Sequence, residues 1–220
     1  PGPYAYRIEL MAKQVRELFG AVPGNLDDFI LASQVSQAEA KKFFIEMTRI
    51  GKWRRTGILW WNLIDGWPQF SDAVIDWYYG VKLAYYYIRR VQQPVCVMIG
   101  EPDTWHSRVI VGNDSREHAH GAYRVLDCDT RDTLLSGEFD VEPNENAEVG
   151  RIPVSRGEQR MFLIEWDLRE PVSGVSNGAN HYLLGTPPFS LVRYRAWLGA
   201  IAALPNGFDV SDLSLIHISE

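Results

Sequence analysis

The order of hydrophobic and polar positions divides the chain at about residue 94. Before this point, apolar residues recur every three or four positions, and this spacing predicts α-helices. The second helix begins after Asn25 and carries Asp27 and Asp28 in its first turn, where the helix dipole favours negative charge. We predict three helices in this part of the chain, at about 6–19, 26–47 and 81–90.

The segment between the second and third of these helices has a different pattern. Residues 57–65 are apolar on both alternating faces until the end of the run, which predicts a strand covered on both sides in a parallel sheet or barrel. Asn62 and Asp65 fall at its C-terminal end, where α/β barrels keep their chemistry. Helix, strand, loop and helix in this order predict the last units of a (β/α)8 TIM barrel. Because such a barrel needs about 250 residues, we expect the rest of it upstream.

After residue 94 the pattern changes to short runs in which apolar and polar residues alternate, separated by turns rich in Gly, Asn, Asp and Pro. About seven short strands with regular turn signals predict an antiparallel β-sandwich of immunoglobulin-like class. A short helix at about 191–204 follows Pro187 and Pro188. The predicted strands cover 95–99, 107–111, 123–126, 134–141, 149–154, 160–166 and 182–184.

The predicted fold class is therefore α/β plus all-β. We expect residues 1–93 to be the C-terminal remnant of a TIM barrel, residues 94–190 an immunoglobulin-like β-sandwich, and residues 191–212 a C-terminal helix and tail. Residues 213–220 resemble the translation of an adapter used in preparing sequencing libraries. We interpret them as an artefact rather than a native frayed tail, and they carry no functional argument.

Charge and composition narrow the classes of partner. The chain has 22 basic and 28 acidic residues, a net charge of −6, which argues against a nucleic-acid-binding protein because such proteins usually carry a basic face. No run approaches the roughly 20 apolar residues needed to cross a membrane. Cys96 and Cys128 match no metal-ligand spacing, and two buried free thiols are favoured over a disulfide. We predict no cofactor and no metal, and the oligomeric state stays open.

Aromatic residues are the unusual feature of the composition. Many of the eight Trp and ten Tyr lie between Trp53 and Tyr87, and such clusters occur in cores, at interfaces and in clefts that bind sugar rings. Tyr85, Tyr86 and Tyr87 exceed one helical face, so we expect at least one to face the sandwich. The histidines offer less: His118 and His120 are predicted to be solvated, and His181 to be a structural hydrogen-bonding residue.

Three stretches resemble glycoside hydrolase family 2, in particular its β-mannosidase branch. The helix from Asp28 to Ala40 resembles the helix before the last barrel strand. The run GILWWNLIDGWP at 57–68, continued by SDAVID at 71–76, resembles the final strand and the loop after it. The run NHYLLGTPPF at 180–189 resembles the end of the sandwich domain. These matches occur in order over most of residues 26–212. One departure is Ile64, where β-mannosidases commonly have Asn.

The resemblance implies a retaining mechanism in which two carboxyl groups roughly 5 Å apart protonate the leaving oxygen and attack the anomeric carbon. It also implies that both carboxylates lie upstream of the matched segment, at the ends of the fourth and seventh barrel strands. Glu39 and Glu46 lie on a helix and are interpreted as structural. We therefore predict no catalytic residue here and expect the chain by itself to be inactive.

The resemblance further implies that the chain contributes one wall of the sugar pocket. Trp61 matches the final-strand tryptophan beneath the sugar, whereas Trp60 is expected to point the other way. Asn62 is expected to bond a sugar hydroxyl or a catalytic carboxylate, and Asp65 either a sugar hydroxyl or the backbone of its own loop. Trp67 is expected to cover the leaving-group side, or to be a packing residue.

The expected function is that of an exo-β-glycosidase which removes terminal β-D-mannosyl residues, with an oligosaccharide as substrate. One alternative keeps the family and changes the sugar to a glucuronide, galactoside or glucosaminide. A second alternative is a non-catalytic carbohydrate-binding β-sandwich module.

Overall fold

A computed structural model describes residues 5–69 and 71–213. The helices predicted from apolar spacing are confirmed, and Asn25 caps the second of them by accepting a hydrogen bond from the backbone N–H of Asp28 at 2.9 Å. Leu213 is buried, and the remainder of the proposed artefact, residues 214–220, lies outside the described residues. The helices are α1 (Ala5–Phe19), α2 (Leu26–Ile50), α3 (Leu83–Val91) and α4 (Leu191–Ala202), followed by a short 3₁₀ helix at Val210–Asp212.

Seven antiparallel strands follow α3, and each overlaps a predicted run. They form a three-stranded sheet in the order β1-β2-β5 and a four-stranded sheet in the order β4-β3-β6-β7. The prediction of two antiparallel sheets is therefore confirmed, and this arrangement is that of a β-sandwich. The strands are β1 (Val95–Ile99), β2 (His106–Asn113), β3 (Ala119–Asp127), β4 (Thr133–Val141), β5 (Asn146–Pro153), β6 (Arg160–Val172) and β7 (Val175–Leu184).

The first hydrophobic core lies between the two sheets. Along β3, buried side chains alternate with more exposed ones, because successive residues of a strand face opposite sides. Among the core residues are Val97, Val109, Val125, Phe139, Ile152 and Ile164.

A second core joins the helices to the outer face of the four-stranded sheet. Tyr87 of α3 is fully buried there, its ring lies edge-on to His181 of β7 with centroids 4.3 Å apart, and its hydroxyl is 2.8 Å from that of Tyr194 on α4. The expectation that one of the three consecutive tyrosines faces the sandwich is thus confirmed. Other members of this core are Val35, Ala38, Met161, Leu163, Trp197 and Ile201.

Buried polar groups also cross this second interface. Lys42 and Glu46 of α2 form a buried ion pair with 2.6 Å between nitrogen and oxygen. Asn180 of β7 donates a hydrogen bond of 2.6 Å to Glu46 and a second one, of 3.1 Å, to the carbonyl of Val97. Because buried polar groups are costly unless they are paired, these contacts favour one relative position of helix and sheet.

The predicted strand at 57–65 is wrong. Among the described residues, the segment makes one isolated bridge pairing, that of Ile64 with Ile75. A strand requires neighbouring strands that satisfy its backbone groups, and both sheets of the described chain are built from residues 95–184. An apolar run alone does not distinguish a barrel strand from a loop without such neighbours.

The two cysteines are confirmed as buried free thiols. Burial raises the pKa of Cys96 to about 12 and that of Cys128 to about 11, so both are protonated at neutral pH. Within residues 5–69 and 71–213, no helix has the length and apolar character needed to cross a membrane.

Candidate substrate-binding site

The segment between α2 and α3 is a compact loop held by backbone carbonyl groups. Ile75 donates its N–H to the carbonyl of Leu63 at 3.0 Å, which closes the loop on itself. Gln37 of α2 donates to the carbonyl of Asp72 at 2.7 Å and so ties the loop to the helix. The loop therefore has a defined shape although it contains no regular strand.

This loop encloses a cavity of about 300 Å³ together with the first helix. The cavity brings together three of the four residues predicted to bind substrate, Trp61, Asn62 and Trp67, whereas Asp65 does not line it. Its walls are formed by Arg7, Trp61, Asn62, Ile64, Gly66, Trp67, Gln69, Ser71 and Asp72.

The two tryptophans present their rings to solvent. The exposed fraction is 79% for Trp61 and 55% for Trp67. The backbone of Trp61 is fixed, because Lys41 of α2 donates to its carbonyl at 2.7 Å, with the ammonium group 4.9 Å from the ring of Trp60. Trp60 packs at the edge of the second core. Neighbouring rings thus point in different directions, and the ring of Trp61 is the one free to contact a ligand.

The side chain of Asn62 bonds its own loop and also keeps hydrogen-bonding groups free for a ligand. Its side-chain amide donates to the carbonyl of Ile64 at 3.1 Å, and its backbone carbonyl accepts from Val74 at 3.3 Å. One amide hydrogen and the side-chain oxygen have no further hydrogen bond among the described residues. Asn62 can therefore hold the loop and still hydrogen-bond a ligand in the cavity.

Asp65 is buried beneath the loop, with an exposed fraction of 3%. Its carboxylate lies 3.8 Å from the ammonium group of Lys82 and accepts a hydrogen bond of 3.2 Å from Gln69. Burial lowers the pKa of Lys82, and the attraction of Asp65 partly opposes this shift. The carboxylate of Asp65 thus contacts the side chains of Gln69 and Lys82 beneath the loop and is turned away from the cavity.

Arg7 and Gln69 line the cavity and were not anticipated. Arg7 of α1 donates to the side-chain oxygen of Gln69 at 2.9 Å, across 62 residues of sequence. No local pattern marks Arg7, because its neighbours show only the spacing of an amphipathic helix. Gln69 follows Trp67 and Pro68 closely, and its polar side chain in that loop was the one available signal.

The acidic residues of α2 lie away from the cavity. Glu39 and Glu46 are directed toward the sandwich, where they bond to His181 and Asn180 respectively. The carboxylate that lines the cavity is that of Asp72.

Among the described residues no group of three His, Cys, Asp or Glu side chains is arranged to hold a metal ion. His118, on the sandwich, lies 2.6 Å from Asp140.

No family model matches the chain. It is similar to β-mannosidase B of Aspergillus niger, with 37% identity over 146 residues, which cover 54% of this chain and 17% of the relative. The similarity to β-mannosidase B of Thermothelomyces thermophilus is 28% identity over 134 residues, 56% of this chain and 15% of the relative. The chain thus spans about a sixth of the length of the curated relatives it matches.

Solved structures show the same fold. The β-D-mannosidase of Dictyoglomus thermophilum superposes with a TM-score of 0.67 at 23% identity, over 83% of this chain and 22% of that one. The exo-chitosanase of Amycolatopsis orientalis gives a TM-score of 0.64 at 19% identity, over 81% and 22%. The chain is therefore similar, over a small portion of their length, to glycoside hydrolases of family 2.

Proposed function

We propose that this chain is part of a retaining exo-β-glycosidase that hydrolyses terminal β-D-mannosyl residues of oligosaccharides or glycoconjugates. The similarity to fungal β-mannosidases, at 37% identity over 146 residues, supports the choice of sugar. The chain supplies one wall of the pocket that holds the sugar, and it carries out no hydrolysis by itself.

The cavity beside Trp61 is the observation on which the proposal depends. Two exposed tryptophan rings and the amide of Asn62 converge on about 300 Å³. An aromatic ring covers the apolar C–H face of a pyranose, while an amide bonds its hydroxyl groups. In this proposal Trp61 lies beneath the sugar, Asn62 bonds a hydroxyl group, and Trp67 covers the leaving-group side. Asp65 acts indirectly, by holding the loop.

The helical part of the chain is proposed to be the end of a TIM barrel. Leu59 is fully exposed, and Leu63 is more than half exposed in the same run. Contiguous exposed apolar residues mark a surface that another part of a protein covers. In this proposal, upstream parts of the barrel cover these residues.

The catalytic carboxylates are proposed to lie in that upstream part. A retaining glycosidase needs two carboxyl groups about 5 Å apart. Asp72 is the carboxylate among the lining residues of the cavity, so the described chain offers one candidate rather than a pair. We accordingly expect no turnover from this chain alone.

Expression of the longer coding sequence, recovered from the source DNA, tests the proposal. Hydrolysis of an aryl β-mannoside is compared with that of the matching β-glucuronide, β-galactoside and β-glucosaminide. We expect the mannoside to be preferred, and Trp61→Ala to lower kcat/KM on it by at least about tenfold, the loss of a stacking contact in a transition-state pocket.

Trp105→Ala is the matched control, because Trp105 is an exposed tryptophan on the sandwich. It is expected to leave kcat/KM unchanged. Preference for another of the four glycosides would keep the hydrolase assignment and reject the mannosidase one. If the full-length protein folds but hydrolyses none of them, the proposal of an enzyme is rejected, and the alternative of a carbohydrate-binding module remains.

A further inference from the structure

A second and larger cleft lies where the helical part meets the sandwich. Its volume is about 580 Å³, within the range of sites for small molecules, which occur preferentially at such junctions. It shares no residue with the cavity beside Trp61. Its walls are formed by Ile45, Thr48, Arg49, Lys52, Trp53, Arg55, Thr56, Gly57, Ile58, Gln92, Asp114 and Asn144.

One side of the cleft is rigid. The guanidinium group of Arg49, at the end of α2, lies 2.8 Å from the carboxylate of Asp114 and also donates to the carbonyls of Val91 and Pro94. Lys52 forms an ion pair with the same carboxylate and donates to the carbonyl of Asn113 at 2.9 Å. These bonds tie α2 to the turn after β2, so the wall keeps its shape whether or not a ligand is present.

The cleft is positive in a chain whose net charge is −6. Three cationic side chains, Arg49, Lys52 and Arg55, face one carboxylate, that of Asp114, which leaves a net charge of +2. Arg49 and Lys52 are engaged with Asp114, whereas Arg55 makes one hydrogen bond among the described residues, to the carbonyl of Met47 at 3.1 Å. The guanidinium of Arg55 therefore retains donors for an anion.

The cleft also has groups of the kind that bind sugars. Trp53 has an exposed fraction of 61%, and the ammonium group of Lys52 lies 6.0 Å from the centroid of its ring, so the ring keeps exposed surface for stacking. The side-chain amides of Gln92 and Asn144 make no hydrogen bond to another described residue and can bond hydroxyl groups. An aromatic ring, spare amides and a net positive charge therefore meet in one concave site.

We propose that this cleft binds a saccharide that carries an oxyanion, either a carboxylate or a phosphate. The pyranose ring stacks on Trp53, the oxyanion bonds Arg55, and the amides of Gln92 and Asn144 bond hydroxyl groups. A neutral sugar would leave the charge of Arg55 uncompensated, and a bare inorganic anion would not use the ring of Trp53. The proposed contacts use Trp53, Arg55, Gln92 and Asn144, none of which lines the cavity beside Trp61 or lies in the run 57–65, so this proposal does not depend on the activity proposed above.

Isothermal titration calorimetry on the 220-residue chain tests this proposal with four probes: D-glucuronate, D-glucose 6-phosphate, D-glucose and inorganic phosphate. We expect the two anionic sugars to bind at least about tenfold more tightly than glucose or phosphate, as expected when both stacking and a charge-assisted bond contribute. The tighter of the two identifies the preferred oxyanion. Binding should weaken as the salt concentration rises, because exposed charges are screened.

Two exposed residues, Trp53 and Arg55, provide the variants. Trp53→Ala and Arg55→Gln are each expected to raise Kd by about tenfold, with thermal melting unchanged. Trp105→Ala, at an exposed tryptophan of the sandwich that lines neither cavity, is the control and should leave Kd unchanged. Equal binding of glucose, or of phosphate alone, would overturn the proposal, as would binding that survives both variants or the absence of binding by every probe.

Discussion

His181 of β7 and Glu39 of α2 are joined by a hydrogen bond of 3.0 Å across 142 residues of sequence. Glu39 accepts a second bond, of 2.5 Å, from the hydroxyl of Tyr194. Burial lowers the pKa of His181 to about 4, against the attraction of Glu39, so its imidazole is neutral at pH 7 and donates from Nε2. His181 is thus a structural hydrogen-bonding residue, as predicted.

This neutral histidine predicts loss of stability in mild acid. The unfolded state binds a proton at a pKa of about 6.5 and the folded state at about 4, so unfolding takes up a proton between these values. The contribution of His181 is therefore fully present above pH 6.5 and is lost as the pH falls toward 4. We expect the free energy of unfolding to fall by up to about 3 kcal/mol from this group over that window.

Urea denaturation at a series of pH values measures this effect. His181→Gln should remove this part of the pH dependence, whereas His118→Gln on the surface should not. The variant has to be compared with wild type because Glu46 also changes the stability with pH. Burial raises the pKa of Glu46, so its contribution to the free energy of unfolding is present at low pH and is lost as the pH rises. An unchanged pH profile in His181→Gln would contradict the assignment of a neutral buried imidazole.

The buried pair of Lys42 and Glu46 predicts a strong double-mutant effect. Lys42→Met leaves the carboxylate of Glu46 buried without its cation, so we expect a loss of about 3–5 kcal/mol in unfolding free energy. Lys42→Met combined with Glu46→Leu should recover most of this loss. The same cycle on the exposed pair Lys13 and Glu17 should yield less than about 1 kcal/mol. Additive effects at the buried pair would contradict the coupling.

Two glycines predict opposite responses to the same substitution. A methyl group at Gly121 of β3 would lie 2.2 Å from the backbone oxygen of Asp167, so Gly121→Ala should destabilise the protein by about 3 kcal/mol. At Gly199 in α4, a methyl group would have no atom within 4 Å beyond its chain neighbours and the nearby backbone of its own helix, so Gly199→Ala should stabilise the protein by roughly 0.5–1 kcal/mol. Chemical denaturation of both variants measures the difference. Equal effects would contradict the close approach of β3 and β6.

We expect the buried carboxylate of Asp65 to keep the loop at 61–76 closed. Asp65→Asn removes the negative charge beside the buried ammonium of Lys82, so the loop at 61–76 should open more often. Chymotrypsin, which cleaves after aromatic residues, should then cut this loop about tenfold faster, as for a loss of about 1.4 kcal/mol in local stability. Asp72→Asn is the control, and its exposed charge should change the rate less than about twofold. Equal acceleration by both variants would contradict the role of Asp65.

Much of the fold was predicted from local patterns. Alternation of apolar and polar residues located all seven strands, because a half-buried strand imposes a period of two on its own residues. Apolar spacing located α1, α2, α3 and α4 in the same way. The boundaries were less accurate, and β6 and β7 extend well beyond the predicted runs at 160–166 and 182–184. The extra residues of β7 pair mostly with residues 163–167 of β6, and that pairing between strands leaves no local pattern.

Trp61, Asn62 and Trp67 were named from the sequence through the resemblance of residues 57–68 to family 2, and all three line one cavity. Their role in binding stays a prediction. Three other features depended on the tertiary structure alone. Arg7 reaches the cavity from 62 residues away, Asp65 turns inward to Lys82, and residues 57–65 form a loop instead of a strand. The periodicity of apolar residues shows which face of a helix or strand is buried, because residues close in the sequence set that pattern. Which distant groups satisfy a buried charge or a backbone N–H depends on how the elements pack, and the tertiary structure decides that.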